Sequence, residues 1–294
     1  MASSVRTTAV LALELGGKPA GALRSAQPAP VRVDRAVITK GSAMSVRDGG
    51  TVSLGEMGAE AVLGAPGPLM DWLAQVIAGG QTLMSGAVLM LDFDHNIRRR
   101  IDFIDATFTE LQLPVLDATD GKRGFIVGLK WLPGQIKEAQ ASGKYSMPLA
   151  GKRKPMQAGN FRLQGLPFDA GAVLRIGLPT LTVRRATEDG RMRKRGQWSV
   201  DLGELRLVMR AGTADAARAW VQKASADGRI DATDLLSLTV EMLDASLKKV
   251  LATIKLDRCS LLAFEEDRIE SSAEATAGVT MRLAVGKLEL ALTT

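Results

Sequence analysis

The feature that most constrains this sequence is an internal repeat, in which the second half matches the first half 148 positions later. Gly203 lies 148 positions after Gly55, and Trp220 lies 148 positions after Trp72. Glycine permits backbone conformations that other residues resist, and tryptophan fills a large volume of a core. Their shared spacing therefore indicates two copies of one fold. Such a duplication is typical of a molecule that occupies two equivalent positions in a symmetric assembly.

The repeat predicts the division of the chain into domains. A length of 294 residues suggests two domains, each long enough to bury its own core. We predict a first domain over residues 1–136, a linker over 137–158 and a second domain over 159–294. The linker segment is rich in Lys, Gly, Ser, Gln and Pro and shows no periodicity. We expect two separate domains rather than one sheet that runs through both copies.

Each copy shows short strand patterns interrupted by one helix. Alternating apolar and polar residues flank a glycine- or charge-rich stretch at 39–50 in copy one and at 186–197 in copy two. Because each stretch separates two strand patterns, it is predicted to be the tip of a long hairpin. The fold class expected is mainly β with minor α. It consists of two similar small β-barrels or orthogonal sandwiches, each with a flanking short helix and a long hairpin.

The strand after the hairpin changes its phase at a glycine. Copy two has apolar residues at even positions before Gly203 and at odd positions after it: Trp198, Val200, Leu202, then Leu205, Leu207, Met209. A strand of period two needs an inserted residue to do this, so a β-bulge is predicted at Gly203. Gly55 holds the same register in copy one. We therefore assign both glycines a structural role.

The helix of copy one is indicated by an apolar stripe at helical spacing, formed by Leu69, Trp72, Leu73, Val76 and Ile77. Pro68 precedes the stripe and Gly79-Gly80 follows it, as expected at the two ends of a helix. The counterpart at 213–226 keeps a tryptophan, Trp220. Both Trp72 and Trp220 are predicted to anchor the core.

Basic residues give the chain a net charge of +6 and a pI near 9.6. They concentrate at Arg98, Arg99 and Arg100 and at the tip of the second long hairpin, which contains Arg191, Arg193, Lys194 and Arg195. Aromatic residues make up only 4% of the chain, so the stacking platforms of nucleic-acid binding are missing. We interpret these seven residues as subunit contacts or solvated loops. A two-domain basic β module that binds nucleic acid or another polyanion is the alternative.

Chemistry-bearing residues are sparse. His95 is the one histidine, so no pair of histidine ligands exists for a metal, and its neighbours Asp94 and Asn96 are ordinary turn residues. Cys259 is the one cysteine, which excludes an internal disulfide and fits assembly in the reducing cytoplasm. The sequence lacks a glycine-rich phosphate loop and a nucleophile elbow. We expect no catalytic site, no cofactor, no metal, no secretory signal and no membrane association.

The order of elements in each copy carries a resemblance. The segment from Val88 to Ala106, VLMLDFDHNIRRRIDFIDA, contains a strand, a turn, a basic strand and an aromatic-x-Asp-Ala motif. It resembles the inner tail-tube proteins of contractile phage tails and related contractile injection systems, which have the haemolysin-coregulated-protein-like fold. Copy two carries a weaker version of this segment at 243–258. The likeness covers most of both halves, here as a tandem duplication.

The resemblance implies a structural protein of a phage-tail-like contractile particle that forms or initiates the inner tube as a ring. Three two-domain chains would give a pseudo-six-fold ring, and six chains are the other possibility. The partners implied are further copies of the chain and the tube, sheath, baseplate or hub proteins of the same particle. DNA or protein cargo would pass through the lumen. Such a protein assembles in the cytoplasm and acts in a virion or an extracellular injection particle.

Overall fold

The computed structural model describes residues 10–34, 37–40, 43–46, 51–63, 66–80, 83–140, 142–146, 156–185, 187–188, 191–192, 198–225, 235–267 and 278–293. The first copy contains β1 Val10–Leu15, β2 Lys18–Gln27, β3 Val31–Asp34, β4 Val37–Lys40, β5 Ala43–Val46, β6 Thr51–Leu54, β7 Met57–Val62, α1 Pro68–Ile77, β8 Met84–Leu91, β9 Ile97–Gln112, β10 Val115–Asp117, β11 Ile126–Leu132 and β12 Gln135–Ala139. The second contains β13 Phe161–Gln164, β14 Val173–Gly177, β15 Leu181–Arg185, β16 Thr187–Glu188, β17 Arg191–Met192, β18 Trp198–Leu202, β19 Leu205–Arg210, α2 Asp215–Ser225, β20 Leu236–Leu243, β21 Val250–Glu266, β22 Gly278–Ala284 and β23 Lys287–Leu292. The protein is mainly β with minor α, as predicted.

The strands of copy one close into a barrel of six strands. Its order is β11-β7-β2-β1-β8-β9, and the ring closes because β9 pairs with β11. Apolar side chains alternate along these strands and fill the interior, as in β7, where Met57, Ala59 and Ala61 are buried. Phe103 and Trp131 lie tilted against each other inside the barrel, with ring centroids 5.3 Å apart. Closure removes the exposed edges that an open sheet would present.

Copy two repeats this order in a nearly closed barrel of seven strands. The order is β10-β14-β19-β22-β21-β20-β13. β13, β14, β19, β20, β21 and β22 correspond to β1, β2, β7, β8, β9 and β11. The seventh strand, β10, pairs with β14 between Val115 and Asp117. The prediction of two similar small barrels is therefore confirmed, with one strand of difference.

The two glycines at the phase change lie where the chain moves from one strand pairing to another. β6 ends at Leu54 and pairs with β3, whereas β7 begins at Met57 and pairs with β2. In copy two, β18 pairs with β15 and β19 pairs with β14 and β22. The predicted bulge within one continuous strand is therefore wrong. The apolar phase flips because a strand ends before the glycine and a new strand begins two residues later.

By internal contacts the chain divides into two compact units whose segments interleave along the sequence. The first is Met1–Ala61, Gln81–Thr109 and Leu129–Pro148; the second is Val62–Gly80, Glu110–Gly128 and Leu149–Thr294. The second unit thus includes α1 and the end of β9, which belong to copy one by sequence. The predicted division into 1–136, 137–158 and 159–294 follows the copies, and it stays a prediction.

The separation expected between the two sheets is incomplete. Strand β15 of copy two pairs with the end of β9, so one nine-stranded sheet includes strands of both copies. The predicted linker also carries structure. Gln135–Ala139 pairs with β9, and Tyr145, Met156 and Ala158 are buried. The sequence did not predict β12 because most of its side chains are exposed and polar, as in a linker.

Candidate assembly surfaces

The pairing of β9 with β15 lies within the second unit and joins residues from the two sequence copies. Leu181 faces Leu111, and Thr182 faces Glu110, in antiparallel register. Both leucines are buried. The contact is a strand addition, because the hairpin of β15 and β18 adds to the end of β9 through β15. Backbone hydrogen bonds supply affinity in such a contact and side chains supply its register.

The apolar face of this hairpin is covered. Leu181 pairs with Leu202 and Val183 pairs with Val200, so the four side chains share one face. Leu181, Val200 and Leu202 line a cavity of about 160 Å³ together with Ile77 of α1, the turn before β23 and the first residues of β23. Leu181 is 1% exposed and Val183 is 6% exposed. Elements of copy one therefore shield the hairpin of copy two.

The hairpin of copy one has the same pattern and is more exposed. Val31 pairs with Leu54 and Val33 pairs with Val52, which repeats the register of copy two. Val31 is 59% exposed, Val33 is 50% exposed and Val52 is 64% exposed. Exposed apolar clusters of this kind are typical of interaction sites. Leu54 is half-buried, as are Val200 and Leu202 of copy two. The same apolar face is therefore more exposed in copy one than in copy two.

The base of each hairpin is closed by the same hydrogen bond. The Gly55 N–H donates to the Pro30 carbonyl oxygen, and the Gly203 N–H donates to the Thr180 carbonyl oxygen, each at 2.8 Å. A Cβ added at Gly55 would lie 2.5 Å from Cγ of Pro30, whereas one at Gly203 would lie 3.3 Å from backbone atoms of Thr180. Both glycines therefore permit a close approach of two backbone segments. The structural role predicted for them stays a prediction.

The two helices differ in how they are covered. α1 buries Leu69, Trp72, Leu73 and Val76 and packs against β23 within the second unit. Trp220 of α2 is half-buried and lies against Phe168, with ring centroids 6.5 Å apart. Trp72 is fully buried, and the anchoring role predicted for it stays a prediction. Trp220 occupies the same helical position, but more of its side chain reaches solvent.

The three arginines at the start of β9 contact carboxylates of their own unit. Arg98 lies 2.7 Å from Asp92, Arg99 lies 2.7 Å from Glu138, and Arg100 lies 2.6 Å from Glu14. The side-chain amide of Asn96 and then Arg98 lower the pKa of Asp92 to about 2. Pairing reduces the charge that these arginines offer to a polyanion. Their predicted role as an interface stays a prediction.

The basic tip of the second hairpin falls mostly outside the described residues. Arg191 begins the short strand β17, which pairs with β16. Arg193, Lys194 and Arg195 lie outside the described part of the chain. The interface role predicted for all four residues stays a prediction.

His95 lies in the turn between β8 and β9 with a φ of 63°. Its N–H donates to the Asp92 carbonyl oxygen, and the Asp92 carboxylate accepts from the backbone of Asp94 and Asn96. These bonds account for the Asp and Asn residues as turn formers. Within the described ranges, His, Cys, Asp and Glu side chains form no cluster that could hold a metal. Burial raises the pKa of the Cys259 thiol to about 11, which keeps it protonated and unreactive.

Among the helices that the structure describes, none is long and apolar enough to cross a membrane.

Sequence reasoning missed the residues that differ most between the copies. The exposed valines of the first hairpin and the exposed Leu262 of β21 were not singled out. Their signal was present in the repeat, since Val52 and Leu54 match Val200 and Leu202 at the 148-residue offset. Identical patterns do not reveal that one copy is covered and the other is not. The difference lies in how each hairpin is covered in the folded chain.

Comparison with known proteins gave structural likenesses alone. No family model matches the chain, and no curated protein matches it. A sheath/tube terminator of an extracellular contractile injection system, PVC, in the extended state shares 11% identity over 47% of this chain and 97% of its own, with a TM-score of 0.38. A chain of the six-fold symmetrised anti-feeding prophage baseplate shares 12% identity with this chain. The match covers 48% of this chain and 97% of that chain, also with a TM-score of 0.38. A chain of the PVC sheath-tube complex in the extended state shares 12% identity with this chain. The match covers 45% of this chain and 88% of that chain, with a TM-score of 0.36. TM-scores this low decide neither fold nor function.

Proposed function

We propose that this chain is a structural protein of a phage-tail-like contractile particle, and that it forms or initiates the inner tube as a ring. The proposal joins the sequence resemblance of residues 88–106 to the geometry of the two barrels. The task is physical rather than chemical. Barrels share edges around a hollow axis through which DNA or protein cargo passes.

The observation that carries the proposal is the strand addition between Leu111 and Leu181. The contact uses different surfaces on two equivalent barrels: the end of β9 on copy one and the hairpin of β15 and β18 on copy two. Contacts between unlike surfaces of like domains are heterologous, and when repeated they generate a ring or a filament. A chain that has made this contact once internally still has one surface of each kind to offer. Self-association is the assembly that such a chain supports best.

The chemistry of the described residues supports a structural role. The largest side chains of the core are aromatic and aliphatic, and the arginines at the start of β9 are bound to carboxylates. Further partners would be the tube, sheath, baseplate or hub proteins of the same particle. Three chains would supply six barrels to a ring and six chains would supply twelve.

Electron microscopy of the purified chain tests this proposal. We expect class averages of hollow rings with three-fold or six-fold symmetry, alone or stacked. Uniform single particles of one chain, combined with DNA binding whose affinity falls steeply with salt concentration, would instead favour the polyanion-binding module.

A further inference from the structure

We infer that a second copy of this chain binds the open hairpin of β3 and β6 through the free edge of β21, in the register that β15 and β9 adopt within one chain. The inference rests on the proposed ring assembly and names the two surfaces that build it. The first surface is the apolar face formed by Val31, Val33, Val52 and Leu54, called here the hairpin face. The second is residues 260–266 of β21, called here the β21 edge.

The β21 edge corresponds to the end of β9, which binds the hairpin of copy two. Phe103 of β9 faces Gly86, and Leu256 of β21 faces Leu238, after the same kind of register shift. Two residues further on, Asp105 and Arg258 both have positive φ, at 50° and 56°. These landmarks set a constant offset of 153 positions between the two strands. Glu110 and Leu111 of β9 therefore correspond to Ala263 and Phe264 of β21.

This edge carries no strand in the described part of the chain. One side of β21 is covered along its length, because β22 and β23 pair with it from Glu266 back to Ala252. The other side is covered by β20 only as far as Cys259. Beyond Cys259, among the described residues, no strand pairs with this side of β21. Unpaired edge groups are a template for addition of another strand.

Burial at the two surfaces follows the same pattern. Leu111, which binds β15, is 1% exposed, whereas its counterpart on the β21 edge, Phe264, is half-buried. On the hairpins, Leu181 is covered and its counterpart Val31 is bare. Leu111 and Leu181, which the internal contact buries, thus have more exposed counterparts in the other copy. A second chain would cover both surfaces with one repeated contact.

The register of the contact follows from the internal one. Leu181 faces Leu111, so Val31 of one chain faces Phe264 of the next, and Arg32 faces Ala263. Continuing by one residue places Val33 opposite Leu262. Both of these side chains are about half exposed in the single chain. Paired apolar residues across strands stabilise a sheet, which gives the contact its specificity.

The second helix supports the same partner. α1 packs against β23, and β23 corresponds to β12 because Lys287 faces Asp257 as Gln135 faces Ile104. Leu288 of β23 is 3% exposed, whereas its counterpart Ile136 of β12 is half-buried. α2 of one chain would therefore pack on β12 of the next. This would cover the part of Trp220 that now reaches solvent.

Disulfide trapping tests the register directly. The variant combines Arg32→Cys and Ala263→Cys in a Cys259→Ala background, and the control combines Arg32→Cys with Glu266→Cys. Opposed strand residues lie within the roughly 7 Å between Cα atoms that a disulfide spans, and residues three positions out of register do not. We expect the first pair to give covalent oligomers of the full chain under mild oxidation, and the control pair to give at least about tenfold less.

Charge at the hairpin face gives a second, independent readout. Val33→Lys places an ammonium group where an apolar neighbour is expected, and it is solvated in the single chain. Val62→Arg is the matched control, since Val62 is 43% exposed and its repeat counterpart is Arg210. We expect Val33→Lys to raise the concentration needed for assembly at least about tenfold, with circular dichroism and Tm unchanged, and Val62→Arg to leave assembly unchanged.

The outcomes separate the inference from the proposed function. Rings in the wild type that persist in Val33→Lys, with no preferential disulfide between positions 32 and 263, would overturn the register while leaving the ring proposal intact. A wild-type chain that stays monomeric at every concentration, with neither cysteine pair cross-linking, would overturn both.

Discussion

At the scale of single residues, the glycines that the repeat singled out act through contact distance. Neither has a positive φ. Each lets the backbone before a hairpin approach the backbone after it. At the point of approach, the glycine N–H donates a hydrogen bond to the carbonyl oxygen of Pro30 or Thr180. The repeat pointed to both glycines. It could not identify the strand change, because an apolar phase flip looks the same for a bulge and for a new strand.

Alanine at these glycines should have unequal effects. Gly55→Ala forces a Cβ to 2.5 Å from the Pro30 ring, so we expect a loss of about 1–3 kcal/mol in the free energy of unfolding. Gly203→Ala meets backbone at 3.3 Å, and reduced unfolded-state entropy offsets part of the strain, so a change within about 1 kcal/mol is expected. Urea unfolding of both variants measures the difference. Equal losses would show that the added contact at Pro30 is relieved by a small shift.

The carboxylate of Asp92 provides a pH test of the first turn. Its pKa is lowered from 3.8 to about 2, chiefly by the Asn96 side chain. A depressed pKa in the folded state means that this stabilisation is present above about pH 4 and is lost as the pH falls toward 2. Asn96→Ala should raise the pKa of Asp92 in an NMR titration. Ser246→Ala is the matched control, because Ser246 is the main cause of the lowered pKa of Asp244 in the equivalent turn. A pKa of Asp92 that stays near 2 without Asn96 would contradict this assignment.

At the scale of elements, sequence periodicity predicted helices and strands, but it did not predict which elements pack or pair with each other. The stripe from Leu69 to Ile77, with Pro68 before it and Gly79 after it, located α1 almost to the residue. The same stripe could not show that α1 packs against β23. An apolar helix face indicates that the helix packs against other elements, but it does not identify those elements. β12 was missed because the polar Gln135, Lys137 and Glu138 resemble a linker. The length of β9 was missed because its end pairs with a strand far away in sequence.

The two hairpins offer a matched test of this context dependence. Leu181→Ala removes a buried side chain, so we expect a loss of about 2–5 kcal/mol. Val31→Ala removes an exposed one at the equivalent position, and in the monomeric chain the change should stay within about 0.5 kcal/mol. Unfolding measured at low protein concentration makes the comparison. A loss at Val31 as large as that at Leu181 would mean that the hairpin face is already covered in the single chain.

At the scale of the whole molecule, the repeat predicted two like barrels and the structure adds how the copies interleave. Segments of copy one lie in the second unit, and the contact they make there uses unlike surfaces of like domains. An alternating pattern cannot reveal this, because it is the same whether a hairpin binds its own chain or the next. In the part of the chain that the structure describes, the exposed hairpin of copy one and the unpaired side of β21 are the surfaces that a contact made once would leave in a chain that carries two copies.

The central claim is that the internal contact is repeated between chains until it closes. Sedimentation velocity of the purified wild-type chain across a wide concentration range tests it most directly. The account predicts that the mass rises to a plateau at a whole multiple of 31.3 kDa, with three or six chains. A mass that stays at 31.3 kDa over the whole range would contradict it.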